Sequence, residues 1–264
     1  MIIVTRGAPV RLFLSMQKHP LLLICFLATL RLSLAQNADS VKSPVYLSGA
    51  ASVTNNGISL IPTFSLDKPA AVFNLSIGKS KFSFDPEFAF SLEGKPWYFL
   101  FWFRYKVAAT DKFRMNVGTH LGINFKTAIL RENMDSSEVK IAERYLAAEL
   151  SPNYFITKNT SIGIYYLYSQ GLDPTTVKNT NFITINAAFS NIKLIRRFYM
   201  RIVPQFYYLN QGEHDGFYFT SAFTLARRNF PLFLSSVINK VIETNISASK
   251  DFVWNIILTY SFAK

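Results

Sequence analysis

Residues 112–126 read KFRMNVGTHLGINFK, and their side chains alternate in kind. Phe113, Met115, Val117, Thr119, Leu121, Ile123 and Phe125 take every second place. Arg114, Asn116, Gly118, His120, Gly122, Asn124 and Lys126 lie between them. Successive side chains of a strand point to opposite faces, so the segment predicts a strand with one apolar and one wet face. The same period recurs in 81–93, 97–106, 141–151, 182–190, 198–208 and 251–262. It is weaker in 58–66, 70–77, 160–170, 217–227 and 232–243. No segment sustains a helical period, and the chain reads as all-β. The open question is whether the apolar faces bury one another in a sandwich or turn outward to lipid.

The connections bear on that question. Counted back from the C-terminus, 244–250, 210–216, 171–179 and 127–140 are longer, and 229–231, 191–196, 157–159 and 108–112 between them are shorter. Short turns at one rim and longer loops at the other are the habit of a membrane barrel, and the segments from 58 to 262 number about 12, an even count that such a barrel can close. The prediction is a transmembrane up-and-down antiparallel β-barrel. Segment 46–54, YLSGAASVT, is either a lead-in or part of a long bent first strand. Pro86, within 81–93, removes a ladder donor and predicts a bulge there.

Composition sharpens the picture. Of 264 residues, 50% are hydrophobic and 16% aromatic, but only 17% are charged. A soluble surface normally carries more charge. The start of the chain has the layout of a secretory signal peptide: Lys18, an apolar run from Leu21 to Leu30, then Ser33-Leu34-Ala35. The expected organisation is therefore a cleaved signal peptide over 1–35, with Met16 as an alternative start. A periplasmic lead-in or the start of the first strand follows over 36–57, and the barrel occupies 58–264. Cys25, the one cysteine, falls inside the apolar run, so the mature chain offers neither disulfide nor thiolate chemistry. The formal charge of +12 becomes +8 without Arg6, Arg11, Lys18 and Arg31, leaving 24 basic against 16 acidic residues. For an exported chain this balance points to lipopolysaccharide phosphates or small anionic solutes, not nucleic acid.

The apolar faces carry aromatics near the strand ends. Trp97, Tyr105, Phe113, Phe125, Phe252, Trp254, Tyr260 and Phe262 are the expected lipid-facing girdle. The polar faces are mild, as suits a narrow lumen. Over about 46–264 the sequence resembles bacterial outer-membrane β-barrel proteins, and the SLAQ signal end with Phe-, Tyr- and Asn-rich strands is similar to those of Bacteroidota. The resemblance implies residence in the cell outer membrane as a multi-pass barrel and contact with its lipid and lipopolysaccharide. It also implies insertion by the barrel-assembly machinery. A monomer is expected, and the resemblance reaches no family of known activity.

Candidate chemistry is sparse. His120 and His214 are the histidines beyond the signal peptide. Gly122 stands where a barrel lipase would place a serine two residues after its histidine, and Asp215 next to His214 would point away from it on a strand. A metal in the outer loops would draw on Asp173, Glu132 and Asp135 with further oxygen ligands. No catalytic, cofactor or metal-binding residue is assigned. The expected lumen lining is Asp85, Glu87, Arg104, Lys106, Arg114, Asn116, His120, Asn124, Lys126, Glu143, Glu149, Arg201 and Gln205. Its basic and acidic members form opposed walls that sort solutes by charge, or cross-pair and fill a narrow barrel. The expected function is a pore or passive transporter for small solutes. The alternatives are a lipid-modifying barrel enzyme and a sealed structural or partner-binding barrel.

Overall fold

The computed structural model describes residues 44–132, 135–195 and 197–263, with side chains described outside 128–138. The expected signal peptide and residues 36–43 lie outside the described residues. Twelve strands are described: β1 (Val45–Thr54), β2 (Ala70–Lys79), β3 (Phe82–Ser91), β4 (Pro96–Ala109), β5 (Phe113–Glu132) and β6 (Asp135–Phe155), then β7 (Thr160–Gly171), β8 (Asn179–Lys193), β9 (Phe198–Gln211), β10 (His214–Arg227), β11 (Leu232–Thr244) and β12 (Phe252–Ala263). Each pairs antiparallel with its neighbours in the chain. β1 also pairs with β12, from Ser48↔Ala263 to Thr54↔Ile257, so the sheet closes into a barrel. The all-β, up-and-down architecture is as the alternation predicts.

The first strand is a correction. Segment 46–54 belongs to the first strand, one of the two expected readings, but that strand is β1 alone, hydrogen-bonded on both sides, and does not run on into 58–66. Its small inward residues Ser48, Ala50 and Ser52 make a weak hydrophobic signal, yet their backbone closes the barrel. Segment 58–66 contributes no strand, and Pro62–Phe64 is a 3-10 turn. Pro62 lacks the donor a strand ladder needs. The alternation of Ile58, Leu60, Phe64 and Leu66 serves an internal surface instead.

The start of β1 and the end of β12 lie at one rim, because Val45 pairs with Lys79 and Ser48 with Ala263. That rim carries the turns 80–81, 110–112, 156–159 and 228–231; the other carries 55–69, 92–95, 172–178, 212–213 and 245–251. Two loops expected to be long are not. Within 210–216, Gln211 pairs with His214 around a two-residue turn, and Gly212 takes the positive φ of +63° that such hairpins require. Within 127–140, β5 and β6 stay paired as far as Glu132↔Asp135. β4 accompanies β5 only to Asn124, and β7 accompanies β6 only to Tyr145, so the tip is a two-stranded ribbon standing beyond the barrel. No register shift occurs at Pro86. The β2–β3 register is the same at Asn74↔Glu87 and Ile77↔Phe84, and only the ladder at the missing donor is interrupted.

The outward faces are apolar and exposed, as at Ile185, Phe206, Trp254 and Leu258. Rings meet across strands on this surface, with Phe88–Phe99 at 5.3 Å and Phe206–Phe219 at 5.0 Å between centroids. Such cross-strand aromatic pairs stabilise a sheet without needing a second layer. The inward faces form the lumen.

Candidate functional site

The lumen is crossed by the β1–β2 loop. Gly57 closes the loop on itself, donating to the Lys68 carbonyl at 2.8 Å and accepting from the Leu66 amide at 2.9 Å. A Cβ at Gly57 would meet the Trp97 ring at 2.9 Å. From this compact turn, side chains reach inward residues of strands all around the barrel. Trp97 on β4 donates to the Phe64 carbonyl at 2.8 Å, and the Phe64 ring packs edge-on against Tyr145 of β6 at 5.0 Å. Thr63 hydrogen-bonds Gln211 of β9. Ile61 is buried against Phe182, Tyr207, Leu209 and Tyr218 of β8–β10. Ile246, from the 245–251 loop, joins the same cluster, and Lys250 of that loop pairs with Asp67 at 2.9 Å.

Trp97 therefore departs from the expected lipid-facing girdle: it is 4% exposed and faces inward. The reason is a register shift between Ala89 and Phe90, where Phe90 pairs with Pro96 while Ala89 pairs with Tyr98. The shift breaks the alternation, so Trp97 and Tyr98 both point in, their rings 4.6 Å apart. Tyr105, Phe113, Phe252, Trp254, Tyr260 and Phe262 are exposed, and Phe125 is half-buried against Phe99.

The opposite wall is polar. Arg104 donates from Nε to Glu149 at 2.7 Å and from Nη1 to Asp85 at 3.1 Å. Asp85 also accepts from Ser76 at 2.5 Å and from Ser83 at 2.9 Å. Glu149 accepts from Tyr165 at 2.9 Å. Glu87 accepts from Asn74 and from Tyr98. The network runs from β2 to β7 and crosses β5 at Gly118, where a Cβ would stand 2.9 Å from Glu149 Oε1 and 3.1 Å from Arg104 Cγ. Glycine there admits the ion pair.

Opposed basic and acidic walls do not occur among these residues. Arg104 on β4 pairs with Asp85 on neighbouring β3 and, across β5, with Glu149 on β6, and Lys126 pairs with Glu143 at 2.8 Å. Strand order brings the opposite charges together before the lumen can separate them. Lys106 lies over Tyr46 and Arg114 over Phe155, both exposed near the rim where β1 begins. Asn116 and Asn124 lie on the inward face of β5, and Arg201 and Gln205 line a cavity of about 270 Å³ beside β10–β12. Sequence reading missed Asn74, Ser76, Tyr98 and Tyr165, although Asn74 and Ser76 alternate on β2 and were legible by phase. It also missed the loop residues that fill the lumen, for which Gly57 and Pro62 were the available signals.

His120 is buried and its ring packs tilted against Trp102, with centroids 3.9 Å apart and 57° between the planes. Its Nδ1 has no hydrogen-bond partner among the described residues. His214 is exposed; neighbouring Asp215 accepts from Tyr208 at 2.9 Å, and its amide donates to Asn245. Of the loop carboxylates considered for a metal, the Glu132 and Asp135 side chains lie outside the described residues. Asp173 is bound by Arg144 at 2.6 Å, and that guanidinium holds its carboxyl below the usual carboxylate range.

No protein-family model matches the sequence, and no curated protein is a significant match. Among solved structures the chain is similar to LpxR from Salmonella typhimurium, with 10% identity over 81% of this chain and 99% of that one, and a TM-score of 0.47. The NanC porin gives 12% identity over 82% and 98%, with a TM-score of 0.47. OmpT of Vibrio cholerae gives 7% identity over 87% and 100%, with a TM-score of 0.45.

Proposed function

We propose that the chain is an outer-membrane β-barrel that passes small solutes through a lumen kept shut at rest by its β1–β2 loop. The apolar belt supports membrane residence: so much contiguous exposed Phe, Ile and Leu surface is unfavourable in water and satisfied by lipid. The start of β1 and the end of β12 at the short-turn rim support a periplasmic position for that rim. The observation that carries the gating is the loop itself, seated on inward residues from β4 to β10. Loop 55–69 is held by side-chain packing and a few hydrogen bonds, so its displacement breaks no strand pairing.

The test begins with location. The protein should be recovered in the outer membrane and should shift in gel mobility on boiling. Conductance in planar bilayers then separates the readings. Wild type should be nearly silent, and a variant with 58–66 replaced by a short Gly-Ser link should conduct steadily. A silent loop-deleted barrel that still shifts on boiling would favour the sealed, structural reading, for which the β2–β7 ion-pair network is the supporting feature.

A further inference from the structure

Beneath the loop, on the β3–β7 side, lies a cavity of about 430 Å³. Ile58, Leu60 and Phe64 of the loop roof it, while Leu100, Trp102 and His120 wall it. We infer that this cavity is a binding site for a small, uncharged, mostly apolar molecule bearing one hydroxyl, of the phenol or alkanol type, which hydrogen-bonds His120. The site stands whether or not solute crosses the barrel.

Three observations converge. The lining is mostly apolar with a few polar points, which is the usual make-up of a small-molecule site. His120 is a polar point of this lining beside Asn124 and Ser169: it is 7% exposed, its Nε2 lies 3.2 Å from where a Gly122 Cβ would stand, and its buried Nδ1 is unpartnered among the described residues. Buried polar groups are normally satisfied. A neutral imidazole has one donor and one acceptor nitrogen, and a hydroxyl can answer either. Gly122 leaves the room, since a Cβ there would come within 3.2 Å of both His120 Nε2 and Leu100 Cδ2.

The charges argue against an ionic ligand. Glu87, in the cavity wall, has both oxygens engaged by Asn74 and Tyr98. Arg104 is neutralised by Asp85 and Glu149. Toward the rim where β1 begins, a chamber of about 580 Å³ reaching Ser48 and Ala263 shares Glu87 and Trp102 with the cavity, and we take this as the way in.

Two of the three tryptophans, Trp97 and Trp102, line the cavity, and Trp254 is exposed outside. In full-length protein carrying Trp254→Phe, 4-bromophenol should quench the remaining fluorescence saturably. Bromobenzene, of similar shape but without the hydroxyl, should need a concentration about tenfold higher, the worth of one hydrogen bond to a buried partner. His120→Leu should erase that preference, and Gly122→Leu should abolish saturable quenching of a barrel that still shifts on boiling. Linear, unsaturable quenching would overturn the site. Equal affinity for the two probes in the unaltered cavity would overturn the hydroxyl assignment, and needs no cavity variant to fold.

Discussion

Two walls of one lumen are built from opposite materials. On β8–β10, Phe182, Tyr207, Leu209 and Tyr218 form an apolar seat for Ile61 of the β1–β2 loop. From β2 to β7, Asp85, Arg104 and Glu149 tie strand to strand without help from the loop. Tyrosines serve both. On the apolar side Tyr207 and Tyr218 stack at 4.7 Å, and on the charged side Tyr165 and Tyr98 donate to carboxylates. The comparison teaches that one wall depends on what fills the lumen and the other is complete in itself.

That difference can be broken by substitution. The largest effect is expected at Leu209, which is fully buried. Leu209→Ala should cost about 3–4 kcal/mol from lost burial and a residual cavity, read from urea unfolding in detergent. It should also be strongly non-additive with Ile61→Ala, because the two side chains share one cluster. Arg104→Ala comes next. It strands two carboxylates, at about 3 kcal/mol, the low end for a broken buried pair because the Arg104 side chain is 33% exposed. Its effect should add simply to that of Ile61→Ala. Equal coupling of Leu209 and Arg104 to Ile61 would erase the distinction between the walls.

Smaller effects sharpen it. Trp97→Phe keeps an aromatic ring but leaves the Phe64 carbonyl without its donor, for about 1 kcal/mol. The readout is bilayer conductance, which should show brief openings as the loop loosens. The smallest effect concerns the outer rim, where Arg144 holds Asp173. A carboxyl held below its unfolded range contributes stability that is complete above the unfolded value and lost as pH falls through the folded one. The Leu172 amide, which donates to the Arg144 carbonyl, should therefore keep its exchange protection from neutral pH down to about 4, the unfolded carboxylate range. It should lose protection only in stronger acid, and Asp173→Asn should remove the dependence.

Alternation alone determined most of this protein. Eleven of the expected strand segments hold strands, the inward and outward faces of β5 and β12 are those read from period two, and closure follows from an even count. The reason is local: a strand's side-chain direction depends only on its neighbours along the chain. Where local signals compete, tertiary structure decided. Segment 58–66 alternates no worse than the weaker strands such as 70–77, but it fills the lumen, while the weakly patterned 46–54 closes the sheet. A one-residue register shift beside Phe90 turned Trp97 from lipid to lumen. The pairing of Arg104 with Glu149 across Gly118 needed strands β4–β6 side by side, an arrangement that alternation along any one strand cannot encode.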